Sequence, residues 1–135
     1  MYAYLDRRWP ELADADRFML SAMRQWVTAA RQGKCLCTTL IAGFAARCAT
    51  DALRDFAGAM AILDRSGTMR FRFAPPCCVR ITDDEARLLA LFALGRSGES
   101  YRLWQVCATL VFDEAVASLH VAVETVGAVL IEDPA

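Results

Sequence analysis

Residues 70–89 read RFRFAPPCCVRITDDEARLL, and this stretch is the chain's main departure from helical periodicity. Met69, Phe71 and Phe73 alternate with Arg70 and Arg72, the period-two pattern of a half-buried strand with one apolar and one charged face. Pro75 and Pro76 offer no backbone donor and must end any ladder. Cys77 to Ile81 can form a short return strand, but Ala-Pro-Pro lacks the Asn-Gly character of a tight hairpin turn. The expectation is an irregular or hairpin-like loop over residues 68–82. Thr82-Asp83-Asp84-Glu85 then forms a capping box, in which the Thr82 hydroxyl accepts from the Glu85 N–H while Glu85 reaches back to the N–H of Thr82. A helix starts there.

On either side of this loop the apolar period is helical. The spacing predicts a first helix over about Asp14 to Gln32, with Leu20, Met23, Val27 and Ala30 as its apolar stripe, and Met19 and Trp26 beside it. Arg17, Ser21, Arg24, Thr28 and Arg31 line the other side, which reads as a solvated face, and Gly33 stops the helix. A second helix, about Leu36 to Cys48, is apolar almost all round and is expected inside the assembly, with Cys37, Ile41, Phe44 and Cys48 on one line. Cys35 and Cys37 can chelate in a loop, but on a helix two residues apart they face opposite ways. Thr50 or Asp51 can cap a third helix that buries Leu53, Phe56, Met60 and Leu63 and ends at Ser66-Gly67.

The helix capped at Thr82 is apolar on nearly every side from Leu88 to Leu94, which makes it the expected centre of the bundle; Gly95 and Gly98 close it. Beyond Glu99, Leu103, Cys107 and Leu110 mark one apolar line, whereas Val116, Leu119, Val123, Val126 and Leu130 mark a displaced one. That phase shift places a break near Phe112 to Glu114, with Asp113 as a new cap. Residues 1–12 read as an arm, either frayed or docked on a neighbour through Tyr2, Tyr4 and Trp9. With no repeat and no linker, the chain is expected to be one all-α domain, a bundle of five or six helices.

Composition narrows the function. A chain of 135 residues can bury a core, and 15 basic against 16 acidic side chains leave no field to attract nucleic acid. The charged start argues against a secretory signal, so a cytoplasmic location and free thiols are expected. Ala115 to Ile131 is interrupted by His120 and Glu124 and falls short of a membrane span. The surplus of apolar residues fits a homo-oligomer, with a dimer favoured.

Candidate chemistry gathers in the central loop. Cys77 and Cys78 stand among Arg65, Arg70, Arg72 and Arg80, and thiols near guanidinium groups and a helix N-terminus are favoured as thiolates. Such thiols suit redox chemistry or a thiophilic metal such as zinc, although the paired Cys-x-x-Cys knuckles of structural zinc sites are absent. Buried structural cysteines are the simpler expectation, and no cofactor is predicted. Arg70, Arg72 and Arg80 can converge on a small anionic ligand, or else form a solvated face or pair with Asp83 and Asp84. His120, the sole histidine, is expected as a hydrogen-bonded interior or boundary residue, with Glu114 and Glu124 too far along the helix to partner it. No phosphate loop, nucleophile elbow or carboxylate pair appears, so an enzyme is the minority expectation.

The order Ala74, Pro75, Cys77, Cys78, Arg80, Thr82 and Glu85, opening a Leu-rich helix, resembles a small family of uncharacterised, mostly alphaproteobacterial proteins. The likeness is best over Met69 to Leu94 and implies no function. Two readings follow from the residues: a helical protein acting by self-association or protein–protein interaction, or a cysteine-centred metal or redox protein using Cys77 and Cys78. Anion binding at the same loop is the third.

Overall fold

The computed structural model describes residues 8–130, apart from the side chain of Cys37. Tyr2, Tyr4 and Ile131 lie outside them. Among the described residues the fold is all-α, a bundle of six α-helices: α1 (Asp14–Arg31), α2 (Leu36–Ala46), α3 (Thr50–Ser66), α4 (Asp83–Ser97), α5 (Ser100–Leu110) and α6 (Asp113–Val129). A single 3₁₀ turn, Trp9–Glu11, precedes them.

Each boundary has a local cause. The Thr82 hydroxyl accepts from Glu85 N and the Glu85 carboxylate from Thr82 N, so the expected box opens α4. Gly98, at φ +74, closes it in the left-handed conformation that costs a residue without Cβ nothing. The apolar phase shift does mark a break, with Phe112 as N-cap and Asp113 as the first residue of α6 rather than its cap. At the start of α3 the N-cap is Ala49, not Thr50 or Asp51. α2 ends at Ala46, short of the expected Cys48, because Cys48 itself takes φ +55 and turns the chain into α3.

α4 and α6 form the centre. α6 packs against α3, α4 and α5, while α1 packs against α2, α3 and α4. Leu88, Leu89, Leu91 and Phe92 of α4 are sealed from solvent, as are Leu119 and Val123 of α6. Phe18, Phe44, Phe56 and Phe92 link the first four helices through successive ring contacts of 5.0, 5.4 and 5.9 Å between centroids. Gly95 and Gly127 let α4 and α6 cross in backbone contact. At the edge, Arg47 donates to Asp14, joining α2 to the start of α1, and this hydrogen bond and its charge hold the Asp14 carboxyl below its ordinary range.

Two expectations about helix faces are overturned. Within the single chain α2 is peripheral: among its described side chains only Leu40 and Phe44 are buried, while Ile41 and Cys48, placed on its core line, are exposed. α2 buries one side because it lies at the margin of the bundle, packed chiefly against α1 and α3. Arg24, assigned to a solvated face, is 2% exposed. The loop after α3 folds back over that side of α1, so α1 is covered on two flanks. Trp9 is half-buried and packs against this chain's own core.

Residues 67–82 form no strand. The backbone groups that a hairpin would pair are taken by the first turn of α4: Arg72 N donates to Asp84 (2.7 Å), Thr82 Oγ1 to Arg72 O (2.8 Å) and Ala74 N to Glu85 (3.1 Å). The alternation persists in part, with Phe71 and Phe73 packed against the core and Arg70 and Arg72 exposed, but Met69 faces solvent. Single bridges fasten the two ends, Gly67 to Val111 and Arg80 to Arg8.

Candidate functional site

The loop is held by one buried ion pair. Arg24 Nε donates to Glu85 Oε2 at 2.7 Å and Nη2 to Oε1 at 3.0 Å, with both side chains removed from water. The remaining guanidinium donors reach past Glu85 to the loop backbone, Nη1 to Cys78 O (2.7 Å) and Nη2 to Arg80 O (2.8 Å). Glu85 also accepts from Ala74 N and Thr82 N, so both carboxylate oxygens are doubly engaged. A buried charge pair offsets its desolvation only when hydrogen bonds satisfy what the pair leaves over, and here backbone groups do so. The planar fork of arginine makes this four-way grip possible; a lysine could not span it.

Beside this anchor lies an open cleft of about 940 Å³ between α1, α3 and the loop. Trp26 and Val27 of α1, Met60 and Leu63 of α3, and Phe71 and Phe73 of the loop supply its apolar walls. Arg31, Arg70 and Arg72 line it with a single acid, Asp64. None of these three arginines makes an ion pair among the described residues, whereas Arg17, Arg24, Arg47, Arg87, Arg96 and Arg102 all do. Trp26 Nε1 is buried without an acceptor among the same residues. No protein-family model, curated protein or solved structure matches the chain.

Of the arginines singled out by sequence, Arg70 and Arg72 meet at the cleft and Arg80 stands apart, its backbone carbonyl engaged by Arg24. Arg31, which the sequence puts on the solvated face of α1, joins them because the loop folds back over that side. Cys77 is exposed and Cys78 half-buried, its N–H closing a turn onto Pro75 O at 3.0 Å. Among the described residues no three His, Cys, Asp or Glu side chains are grouped to hold a metal ion. No helix of the described residues is long and apolar enough to cross a membrane.

A second polar cluster joins α5 to α6. His120 Nδ1 lies 3.1 Å from Glu124 Oε1, and its Nε2 lies 3.1 Å from Ser100 Oγ and 3.0 Å from Ser100 O. The Trp104 ring meets the imidazole edge-on at 5.2 Å. Glu124, which the sequence reading sets aside as too distant, is thus a partner of His120. Four residues is one helical turn, the spacing at which side chains meet.

Proposed function

We propose that this chain binds a small organic anion with an apolar body in the cleft between α1, α3 and the loop. The observation that carries the reading is the set of three guanidinium groups, Arg31, Arg70 and Arg72, without an ion pair among the described residues, on an apolar-walled cleft that holds one carboxylate. Arginine forks suit carboxylate and phosphate oxygens. The walls suit a ring or short acyl chain, and the volume is that of a small-molecule site. The Arg24–Glu85 anchor keeps the loop in place before a ligand arrives, which lowers the ordering cost of binding.

Calorimetry and thermal shifts with aryl and short-chain acyl carboxylates and phosphates test the proposal. A charged ligand that binds at least about tenfold more tightly than its uncharged alcohol analogue, and loses that advantage in Arg70→Ala/Arg72→Ala, fits the reading. Equal stabilisation by charged and neutral analogues, or none at millimolar concentration, sinks it.

Self-association is the second reading, favoured by α2. Its eleven residues carry no charge, yet Ile41, Ala42 and Ala45 face outward. Burial of that side against a second copy would remove the exposed apolar face. Light scattering should then report a dimer that Ile41→Glu dissociates; a monomer at all concentrations rejects it.

A further inference from the structure

Ser100, His120 and Glu124 form a hydrogen-bonded line across the α5–α6 contact, and we propose that it is an acyl-transfer site with Ser100 Oγ as its nucleophile. A nucleophile within hydrogen-bond reach of a base that a third group orients is the arrangement that activates a serine. An ionised Glu124 can only accept, so at 3.1 Å it sets Nδ1 as the protonated nitrogen. Nε2 faces both the Ser100 hydroxyl at 3.1 Å and the Ser100 carbonyl oxygen, which can only accept, at 3.0 Å; in the tautomer that Glu124 favours its lone pair serves the hydroxyl. Once Nε2 takes that proton, Ser100 O, 3.0 Å away, becomes its second acceptor, and Glu124 faces the imidazolium charge on the other side.

The backbone supplies the complementary donors. Ser100 is the first residue of α5, and Glu99 before it makes no side-chain cap. The N–H groups of Tyr101 and Arg102 therefore have no intrahelical acceptor. They directly follow the nucleophile in the chain, the position from which a backbone N–H stabilises a developing oxyanion. Ser100 is exposed, and Tyr101 and Trp104 are 75% and 44% exposed beside it. Those two rings on an open surface suit an ester of a small acyl group with an aromatic alcohol.

In the first half-reaction Ser100 Oγ bonds to the acyl carbon and passes its proton to Nε2; the ester C–O bond breaks and the leaving alkoxide takes that proton. Water then attacks the acyl carbon, gives its proton to Nε2, and the Ser100–acyl bond breaks as Ser100 Oγ is reprotonated and the acid departs. Glu124 is a positioning residue that touches neither reactant.

A fluorophosphonate probe followed by peptide mass spectrometry reads the nucleophile. The expected result is one adduct on Ser100, absent in Ser100→Ala, retained in Ser97→Ala, and formed at least about a hundredfold more slowly in His120→Gln. Hydrolysis of p-nitrophenyl acetate should fall in parallel. Circular dichroism of each variant separates loss of reaction from loss of fold. Glu124→Gln keeps an acceptor for Nδ1 but not the charge, and should slow labelling without abolishing it; an unchanged rate removes Glu124 from the arrangement. No adduct in the folded protein, an adduct elsewhere, or a Ser100 adduct that forms as fast in folded His120→Gln overturns the proposal.

Discussion

The guanidinium of Arg24 holds the carboxylate of Glu85 across 61 positions of sequence, with side chains 1% and 0% exposed. Because Arg24 also donates to Cys78 O and Arg80 O, its loss leaves a buried carboxylate and two backbone carbonyls without their partner. Removing one member of a buried pair typically costs about 3–5 kcal/mol. Arg24→Met should therefore lower the unfolding free energy from urea titration by an amount of that order, and Arg24→Lys should recover only part of it. Equal stability of Arg24→Met and the parent would mean that the loop is held by something else.

Thr82 does two tasks with one hydroxyl. It accepts from Glu85 N at 3.0 Å and donates to Arg72 O at 2.8 Å, so it joins the start of α4 to the loop segment that carries Arg72 into the cleft. Thr82→Ala should cost roughly 1–2 kcal/mol, the upper range for a lost N-cap. Thr82→Ser keeps the hydroxyl and should stay within about 0.5 kcal/mol, as substitutions that break no such feature do. Denaturant titration of the three proteins checks both.

What is legible in the sequence is local. The Thr82 box spans four residues, the α3 line of Leu53, Phe56, Met60 and Leu63 repeats within one helix, and the break before Asp113 shows as a phase shift. Periodicity misplaces Arg24 because it identifies a helix face but not what later covers it; the covering residues lie 54 to 61 positions away. The exposure of α2 has the same cause, since an apolar helix does not state how many neighbours it will find. At the cleft, Arg70 and Arg72 are visible in the sequence as a pair and Arg31 is not, because their meeting depends on the path of the loop. His120–Glu124 is different: the four-residue spacing alone is enough to pair them on one helix.

The crossing of α4 and α6 makes a sharp contrast between glycines. A Cβ on Gly95 would sit 2.8 Å from Val123 O and 2.9 Å from Val123 Cγ1, and the backbone carbonyl cannot swing aside. Gly95→Ala should thus destabilise by about 1–3 kcal/mol, the cost of overpacking, despite the better helix propensity of alanine. A Cβ on Gly58, in the middle of α3, would meet nothing within 4 Å. Gly58→Ala should stabilise by about 0.5–1 kcal/mol. Thermal melts that move in opposite directions for the two variants confirm the crossing; a rise for both would mean that α4 and α6 do not approach so closely.

Cys107 differs from the other described thiols in kind. It is sealed between α5 and the core, and burial, with a smaller push from the Glu124 charge, raises its thiol from 9.0 to about 12, against the lowering by a backbone hydrogen bond. At pH 8, peptide-level mass spectrometry after brief alkylation should find Cys35, Cys48 and Cys77 modified and Cys107 intact until denaturant is added. The same shift has a consequence for stability. Below pH 9 both the folded and unfolded chains keep the proton, so Cys107 leaves stability unchanged. Between pH 9 and about 12 the unfolded thiol ionises while the folded one does not, and the equilibrium moves toward unfolding. Cys107→Ala removes that component, so its stability should decline less steeply over the same interval, even though the cavity lowers it at neutral pH. Parallel curves for the two proteins above pH 9 would show that Cys107 ionises as readily folded as unfolded.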